Sequence, residues 1–172
     1  IDFIDETIES ILNQTYNKFE LLIIYDDVDK EELNYLKQIA DKDKRINILQ
    51  NNENLGAGLS RNKGIDNSQG KFIAFIDSDD IWFNNKLEKQ IKFMNENNCC
   101  ISHTSYQIIN SKNEFISNRI ARDFDTFKSL LKSCDIGLST VIMDKSIFSN
   151  DLKFPKIKTK EDFVLWLKVL KK

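Results

Sequence analysis

Apolar runs and helical patterns alternate along the first half of the chain. Apolar side chains recur at helical spacing from residue 3 to residue 12, and an uninterrupted apolar run from 19 to 25 predicts a strand buried on both faces. The alternation then continues with a second helical pattern, a strand at 46–50, a short helix opened by Gly56 and Gly58, and a buried strand at 72–76. This order predicts an α/β fold built on a mostly parallel sheet flanked by helices.

The pattern changes in the second half of the chain. After a predicted helix at 84–97, alternating segments on both sides of a polar turn at Asn110–Asn113 predict a small antiparallel hairpin. The remaining predicted elements are a helix from Phe124 to Ser133, a strand at 139–144, and a last helix whose core-facing side carries Phe163, Trp166, Leu167 and Leu170.

Composition narrows the class of protein. A chain of 172 residues with 41% hydrophobic residues can bury one core, so a single domain is expected. The net charge of -2 comes from charges scattered along the chain, and the absence of a basic stripe argues against nucleic acid as a partner. No apolar segment reaches the roughly 18 to 20 residues of a membrane span, so a cytoplasmic protein is expected. The three cysteines form no disulfide pattern and are expected to be reduced core thiols.

Carboxylates follow two of the predicted strands. Asp26 and Asp27 end the first, and the acidic run Asp77–Asp80 ends the strand at 72–76. Ligands of open α/β sheets bind beyond the carboxyl ends of the strands, and paired carboxylates there can hold Mg or Mn together with diphosphate oxygens. Aspartates also initiate turns and cap helices without any ligand. Both interpretations remain open on these residues alone.

Three motifs, taken in order, resemble the family-2 glycosyltransferases of the GT-A fold, a Rossmann-like nucleotide-diphospho-sugar transferase fold. In particular, the chain is similar to bacterial capsule- and lipopolysaccharide-type sugar transferases. The matching residues are Asn54, Gly56, Arg61, Asn62 and Gly64 in the first motif, Asp77, Asp79, Asp80 and Trp82 in an Asp-x-Asp block, and Glu161 with Asp162 at the start of the last helix.

The resemblance implies a role for each of these sites. Asp26 and Asp27 would lie near the donor base, and Arg61 near the donor nucleotide. Asp77 would lie near the donor ribose and, with Asp79, would bind a Mn or Mg ion. Asp162 would be the catalytic base of an inverting transfer from a nucleotide-diphosphate sugar, most readily a UDP-sugar.

The same resemblance divides the single domain by task. Residues 1–98 would bind the nucleotide-sugar donor, and residues 99–172 would supply the acceptor side and the base. The implied acceptor is a hydroxyl of a cell-surface glycan or lipid-linked glycan, which is compatible with peripheral association at the inner face of the cell membrane.

Two features depart from the family pattern. The family's first strand, with its Pro-Thr-Tyr-Asn-like loop, is absent from this sequence, which starts at the helix that follows it. Val28-Asp29 also replaces the usual Gly-Ser after the first acidic pair.

Two rival functions use the same carboxylates. In haloacid-dehalogenase-like phosphatases, the first aspartate of an Asp-x-Asp is the nucleophile and the second is the acid, which would assign those roles to Asp77 and Asp79. That motif normally lies on the first strand, whereas two strands precede it here. A receiver-type signalling domain would pair Asp26-Asp27 with a phosphoacceptor at Asp77, but no lysine ends a following buried strand.

Overall fold

The computed structural model describes residues 3–123, 126–132 and 135–171. The helices of the described residues are α1 (Ile4–Leu12), α2 (Lys30–Ala40), α3 (Ala57–Asn67), α4 (Lys86–Glu96), α5 (Phe127–Lys132) and α6 (Glu161–Leu170). The strands are β1 (Leu21–Tyr25), β2 (Ile46–Gln50), β3 (Phe72–Ala74), β4 (Ile101–Ser102), β5 (Tyr106–Ile109), β6 (Phe115–Arg119) and β7 (Ile142–Asp144). The predicted order of elements is confirmed. The outer ends of the helix expected at 124–133 lie outside the described residues.

The strands pair in three groups. β1 and β2 run parallel, with Leu21 opposite Ile46. β7 lies between β3 and β4 and runs antiparallel to both, while β5 and β6 form the predicted antiparallel hairpin. The α/β expectation is thus confirmed, but parallel pairing is limited to β1 and β2 among the described strands. The apolar pattern of β7 indicated a strand and carried no information on its direction or its partner.

A cavity of about 750 Å³ separates the facing edges of β1 and β3. Residues of both strands line it, together with residues of α1, α3 and α4. Because this space adjoins β1, residues Leu21–Ile24 are half-buried, whereas their apolar run predicted burial on both faces. No strand pairing joins β1 to β3 within the described residues.

The core consists of three clusters of buried side chains. One surrounds α6, one lies between β1, β2 and the helices α1 and α2, and the third joins Ile11 of α1 to Met94 of α4 and Ile142 of β7. In α6 the most buried side chains are Leu165 and Trp166. The predicted core face included Trp166 but missed Leu165, because α6 also packs against α5.

Two further expectations concern the cysteines and membrane-spanning helices. Cys99 is half-buried and Cys100 is exposed, both with free thiols, so the prediction of core thiols is wrong for Cys100, and Cys134 lies outside the described residues. Cys100 directly precedes β4, which begins at Ile101. In the described parts of the chain, no helix combines the length and apolar character that crossing a bilayer requires.

Candidate active site

The carboxylate of Asp26 is held by the loop that follows β2. Its oxygens accept hydrogen bonds from the Asn51 side-chain amide at 2.7 Å, from the Leu55 N–H at 2.8 Å and from the Gly56 N–H at 2.7 Å. The main-chain oxygen of Asp26 also accepts from the amide of Asn54. The end of β1 and the start of α3 are therefore joined through one aspartate.

These bonds decide the charge state of Asp26. Burial alone would raise the pKa of its carboxyl group, but hydrogen bonds from the Leu55 N–H, the Asn51 amide and the Gly56 N–H together lower the pKa below its ordinary value. Asp26 is therefore an ionised acceptor whose charge stabilises the loop. The predicted contact of Asp26 with the donor base stays a prediction.

The side chains of Asp27 and Asp29 accept hydrogen bonds from the turn between β1 and α2 and from the first turn of α2. One Asp27 oxygen accepts from the Val28 N–H at 2.6 Å, and Asp29 caps α2 by accepting from the N–H groups of Glu31 and Glu32. Asp29 therefore acts as an N-cap. No positive φ occurs at Val28 or Asp29, so the turn forms without the glycine that the family pattern places there.

Arg61 on α3 connects two acidic motifs that are far apart in the sequence. Its Nη1 lies 2.5 Å from Oε1 of Glu161, and its Nη2 lies 2.8 Å from Oδ1 of Asp77. The guanidinium carbon also lies 5.6 Å from the centre of the Phe154 ring, within the range of a cation–π contact. The structure thus brings the predicted donor-binding arginine into direct contact with the Asp-x-Asp block.

Two glycines explain how α3 reaches this position. Gly56, the residue before the helix, has a φ of +79°, a conformation that favours glycine. At Gly58, a Cβ atom would lie 3.0 Å from the Pro155 oxygen and 3.2 Å from Cγ of Glu161. The first turn of α3 therefore packs directly against the start of α6 because position 58 has no side chain.

The backbone of the Asp77–Asp80 loop is anchored from two sides. The Asp77 N–H donates to Oγ of Ser139 at 3.0 Å, and the indole N–H of Trp82 donates to the Ser139 main-chain oxygen at 2.8 Å. On the other side, the Thr7 hydroxyl lies 3.0 Å from the main-chain oxygen of Ser78 and 2.8 Å from that of Asp80. Side chains of this loop are therefore displayed from a fixed backbone.

The carboxylates of this loop differ in their contacts. Asp79 is exposed and makes no hydrogen bond or ion pair with any described residue. The Asp77 carboxylate accepts from Arg61 through Oδ1, and no described residue donates to its Oδ2. Burial raises the pKa of Asp80, and the charges of Asp77 and Asp79 add to the rise, while a hydrogen bond from Ser139 opposes it. Carboxylate oxygens without a donor among the described residues are thus concentrated on Asp77 and Asp79.

This arrangement fits a hard divalent cation. Among the described residues no three histidine, cysteine, aspartate or glutamate side chains form a ready-made metal cluster. Mg²⁺ is commonly held by one or two carboxylates together with substrate phosphates, so a dedicated protein cage is not needed. Asp79 and the second oxygen of Asp77 supply oxygen ligands of that kind.

The proposed base lies at the start of α6. Asp162 is half-buried, and its Oδ1 accepts from the N–H of Phe163 at 2.7 Å. The preceding Lys160 has a φ of +63°, which turns the chain into the helix at Glu161. Asp162 is thereby adjacent in sequence to the residue that contacts Arg61, and its carboxylate lies in the first turn of α6, where negative charge is favoured.

The structure brings three of the six predicted site residues to one place. Asp26, Arg61 and Asp77 all line the cavity between β1 and β3, and Arg61 connects them to the helix that carries Asp162. Asp27, Asp79 and Asp162 do not line this cavity. Sequence reasoning missed Ser139 and Asn51, for which no motif signals a role, and it treated Glu161 only as the neighbour of the base.

Comparisons with known proteins agree on one family. Residues 1–152 match the sequence profile described as "Glycosyl transferase family 2". The putative teichuronic acid biosynthesis glycosyltransferase TuaG of Bacillus subtilis is 36% identical over 172 residues, which cover 99% of this chain and 68% of that protein. A UDP-Glc:alpha-D-GlcNAc-diphosphoundecaprenol beta-1,3-glucosyltransferase of Escherichia coli, WfgD, is 41% identical over 98% of this chain and 64% of that protein.

Solved structures share the fold. Staphylococcus aureus TarS in complex with UDP-GlcNAc has a TM-score of 0.76 at 24% identity, covering 98% of this chain and 49% of that one. The mannosyltransferase PcManGT of Pyrobaculum calidifontis, solved with GDP-Man and Mn²⁺, has a TM-score of 0.68 at 12% identity, covering 96% and 48% of the two chains. Across the most similar curated relatives, the chain spans from 24% to 68% of their length.

Proposed function

Because the chain belongs to glycosyl transferase family 2, we propose that it forms the donor-binding and base-carrying part of an inverting, metal-dependent glycosyltransferase. The proposed reaction moves a sugar from a UDP-type donor to a hydroxyl of a cell-surface glycan. The observation that carries the proposal is the Arg61 bridge, which joins the Asp-x-Asp loop to the helix bearing Asp162. The phosphatase and receiver alternatives are set aside, since the family match spans both strand-end acidic motifs.

On the donor side, we assign nucleotide binding to residues 1–98, at the strand ends that carry Asp26 and Asp77 and at Arg61, which pairs with Asp77. The carboxylates of Glu161 and Asp77 fix the orientation of the planar Arg61 guanidinium. The directions of its remaining N–H donors are therefore fixed as well. WfgD is named for a UDP-Glc donor and the TarS structure contains UDP-GlcNAc, which favours a UDP-sugar here.

For the cation, we assign Asp79 and Asp77 as the protein ligands of Mn or Mg. Asp79 has no competing partner among the described residues, and Asp77 engages Arg61 with one oxygen only. When bound, the ion would stabilise the negative charge that builds on the leaving diphosphate. The PcManGT structure contains Mn²⁺ together with its donor, which supports a similar requirement.

For the chemical step, Asp162 accepts the proton of the acceptor hydroxyl. The hydroxyl oxygen then forms a bond to the anomeric carbon as the bond from that carbon to the diphosphate oxygen breaks, and the nucleoside diphosphate leaves. A sugar hydroxyl is a weak nucleophile, and a carboxylate within hydrogen-bond reach lowers the activation barrier by accepting the hydroxyl proton. A single direct displacement inverts the anomeric centre, so no covalent intermediate on the protein is needed.

We assign the acceptor side to residues 99–172, which include the β5–β6 hairpin and α6. The name of WfgD gives a diphosphoundecaprenol-linked acceptor, and the name of TuaG gives teichuronic acid biosynthesis. A lipid-linked glycan acceptor fits both names. It would place the enzyme at the inner face of the cell membrane when it acts.

The test is Asp162→Asn, assayed with a donor chosen from a thermal-shift screen of nucleotide sugars with Mn. Transfer should fall by roughly 10² to 10⁴, the usual contribution of a general base, while UDP binding with Mn stays at the parent value. Asp151→Asn, an exposed change outside the site, is the matched control. Undiminished turnover by Asp162→Asn would remove the base assignment.

A further inference from the structure

Glu161 occupies a half-buried position between the two motifs that the proposed mechanism uses. Its side chain is only 12% exposed, against 42% for Asp77, although both bind the same arginine. We propose that Glu161 is a positioning residue that holds Arg61 and so keeps one oxygen of Asp77 available to the donor and its cation. This inference rests on the proposed function.

The geometry of the Arg61 bridge is the first support. A guanidinium is planar and rigid, so fixing its Nη1 edge against Glu161 also fixes the direction of Nη2. In the structure Nη2 meets Asp77 through Oδ1 alone, and no described residue donates to Oδ2. Sharing the guanidinium between two carboxylates prevents a two-pronged pairing of Arg61 with Asp77.

Removing the charge of Glu161 would end the sharing of the Arg61 guanidinium between two carboxylates. An Arg–carboxylate pair prefers two parallel hydrogen bonds when both oxygens are accessible. With Glu161 neutral, Arg61 would be free to rotate toward Asp77 and engage both of its oxygens. The carboxylate that the donor and its cation need would then be occupied by the protein itself.

Packing around Glu161 is the second, independent support. Gly58 lies against Glu161, since a Cβ atom at position 58 would be 3.2 Å from Cγ of Glu161. Asn62, on the same helix, exchanges two hydrogen bonds with the backbone of Phe154, at 2.9 and 3.0 Å. These contacts hold the start of α6 against α3, so Glu161 has little room to move away from Arg61.

A consequence concerns how the two halves of the site communicate. Glu161 and Asp162 are adjacent in the first turn of α6, and Glu161 contacts the arginine that contacts Asp77. A change in the Asp77–Arg61 pair on donor binding therefore acts on the helix that carries the proposed base. No comparable link from Asp162 to the Asp77–Asp80 loop passes through any other described ion pair.

The experiment is a double-mutant cycle between Glu161 and Arg61, read as UDP affinity with Mn by calorimetry. Glu161→Gln keeps the shape and removes the charge, and we expect about tenfold weaker binding, the usual loss for one charge-assisted contact. Arg61→Met should lose at least as much, and the double variant should be no weaker than Arg61→Met alone. Glu88→Gln, an exposed first-turn glutamate of α4, is the matched control and should bind as the parent does.

Three results would overturn the inference. Parent-like UDP affinity in Glu161→Gln, or additive losses in the cycle, would show that Glu161 does not act through Arg61 while leaving the proposed function standing. Absence of Mn-dependent UDP binding by the parent would overturn the proposed function and this inference with it. If Glu161→Gln fails to fold, as judged by circular dichroism, Glu161→Asp replaces it. This variant keeps the charge on a shorter stem, so we expect an intermediate loss, and parent-like affinity would count against the inference.

Discussion

Two aspartates that follow apolar strands, Asp26 after β1 and Asp79 after β3, have opposite surroundings. Asp26 accepts three hydrogen bonds from the 51–56 loop, whereas Asp79 makes no hydrogen bond or ion pair with any described residue. The sequence signal is the same in both places. The difference teaches that a carboxylate at a strand end can either hold the fold or face a ligand, and that its partners decide which.

The physical reason for the difference lies in what anchors each loop. The loop at Asp26 is held by the carboxylate itself, which satisfies main-chain N–H groups at the start of α3. The Asp77–Asp80 loop is held through its backbone by Thr7 and Ser139, which leaves the Asp79 carboxylate free of protein donors. Asp26 therefore contributes chiefly to stability, and Asp79 is suited to bind a cation.

Replacing Asp79 should separate function from stability most clearly. In Asp79→Asn we expect UDP binding with Mn to weaken by about 100-fold or more, equivalent to about 3 kcal/mol, because a charged ligand of the cation is lost. The free energy of unfolding should remain within about 0.5 kcal/mol of the parent, as for other exposed changes. Calorimetry and urea unfolding measure the two quantities. Superimposable titrations of variant and parent would exclude the metal role.

Replacing Asp26 should give the reverse result. Asp26→Asn loses charge-assisted hydrogen bonds from two main-chain N–H groups and places an amide donor near them, so unfolding should become easier by about 2 kcal/mol. Urea denaturation measures this loss, with the exposed change Asp151→Asn as control. A variant as stable as the parent would show that the Asp26 contacts do not hold the loop.

The sequence predicted the elements better than their arrangement. Apolar periodicity located the helices and strands that carry these residues, while the assignment of Asp26, Arg61, Asp77, Asp79 and Asp162 to the site came from the resemblance and stays a prediction. The sequence did not predict that β7 lies antiparallel between β3 and β4, because hydrophobic periodicity carries no information on strand direction. The sequence also did not predict the role of Glu161, because its contact with Arg61 joins residues that are 100 positions apart.

The contrast between Asp26 and Asp79 can also be tested through the pH dependence of protein stability, where the expected effect is smaller. Burial would raise the pKa of Asp26, but the hydrogen bonds from Leu55, Asn51 and Gly56 lower it below its ordinary value. The folded protein thus keeps this carboxylate ionised at a pH where the unfolded chain binds a proton. Its stabilisation is present above the unfolded pKa and is lost as the pH falls through the folded one.

We therefore expect the stability difference between parent and Asp26→Asn to shrink as the pH falls below about 4. Urea unfolding at a series of pH values measures it. Asp151→Asn, an exposed change outside this loop, is the control for the substitution itself. A difference for Asp26→Asn that grows toward acid pH would mean that burial outweighs the hydrogen bonds. Asp26 would then destabilise the loop in its charged form, and the contrast with Asp79 would fail on the Asp26 side.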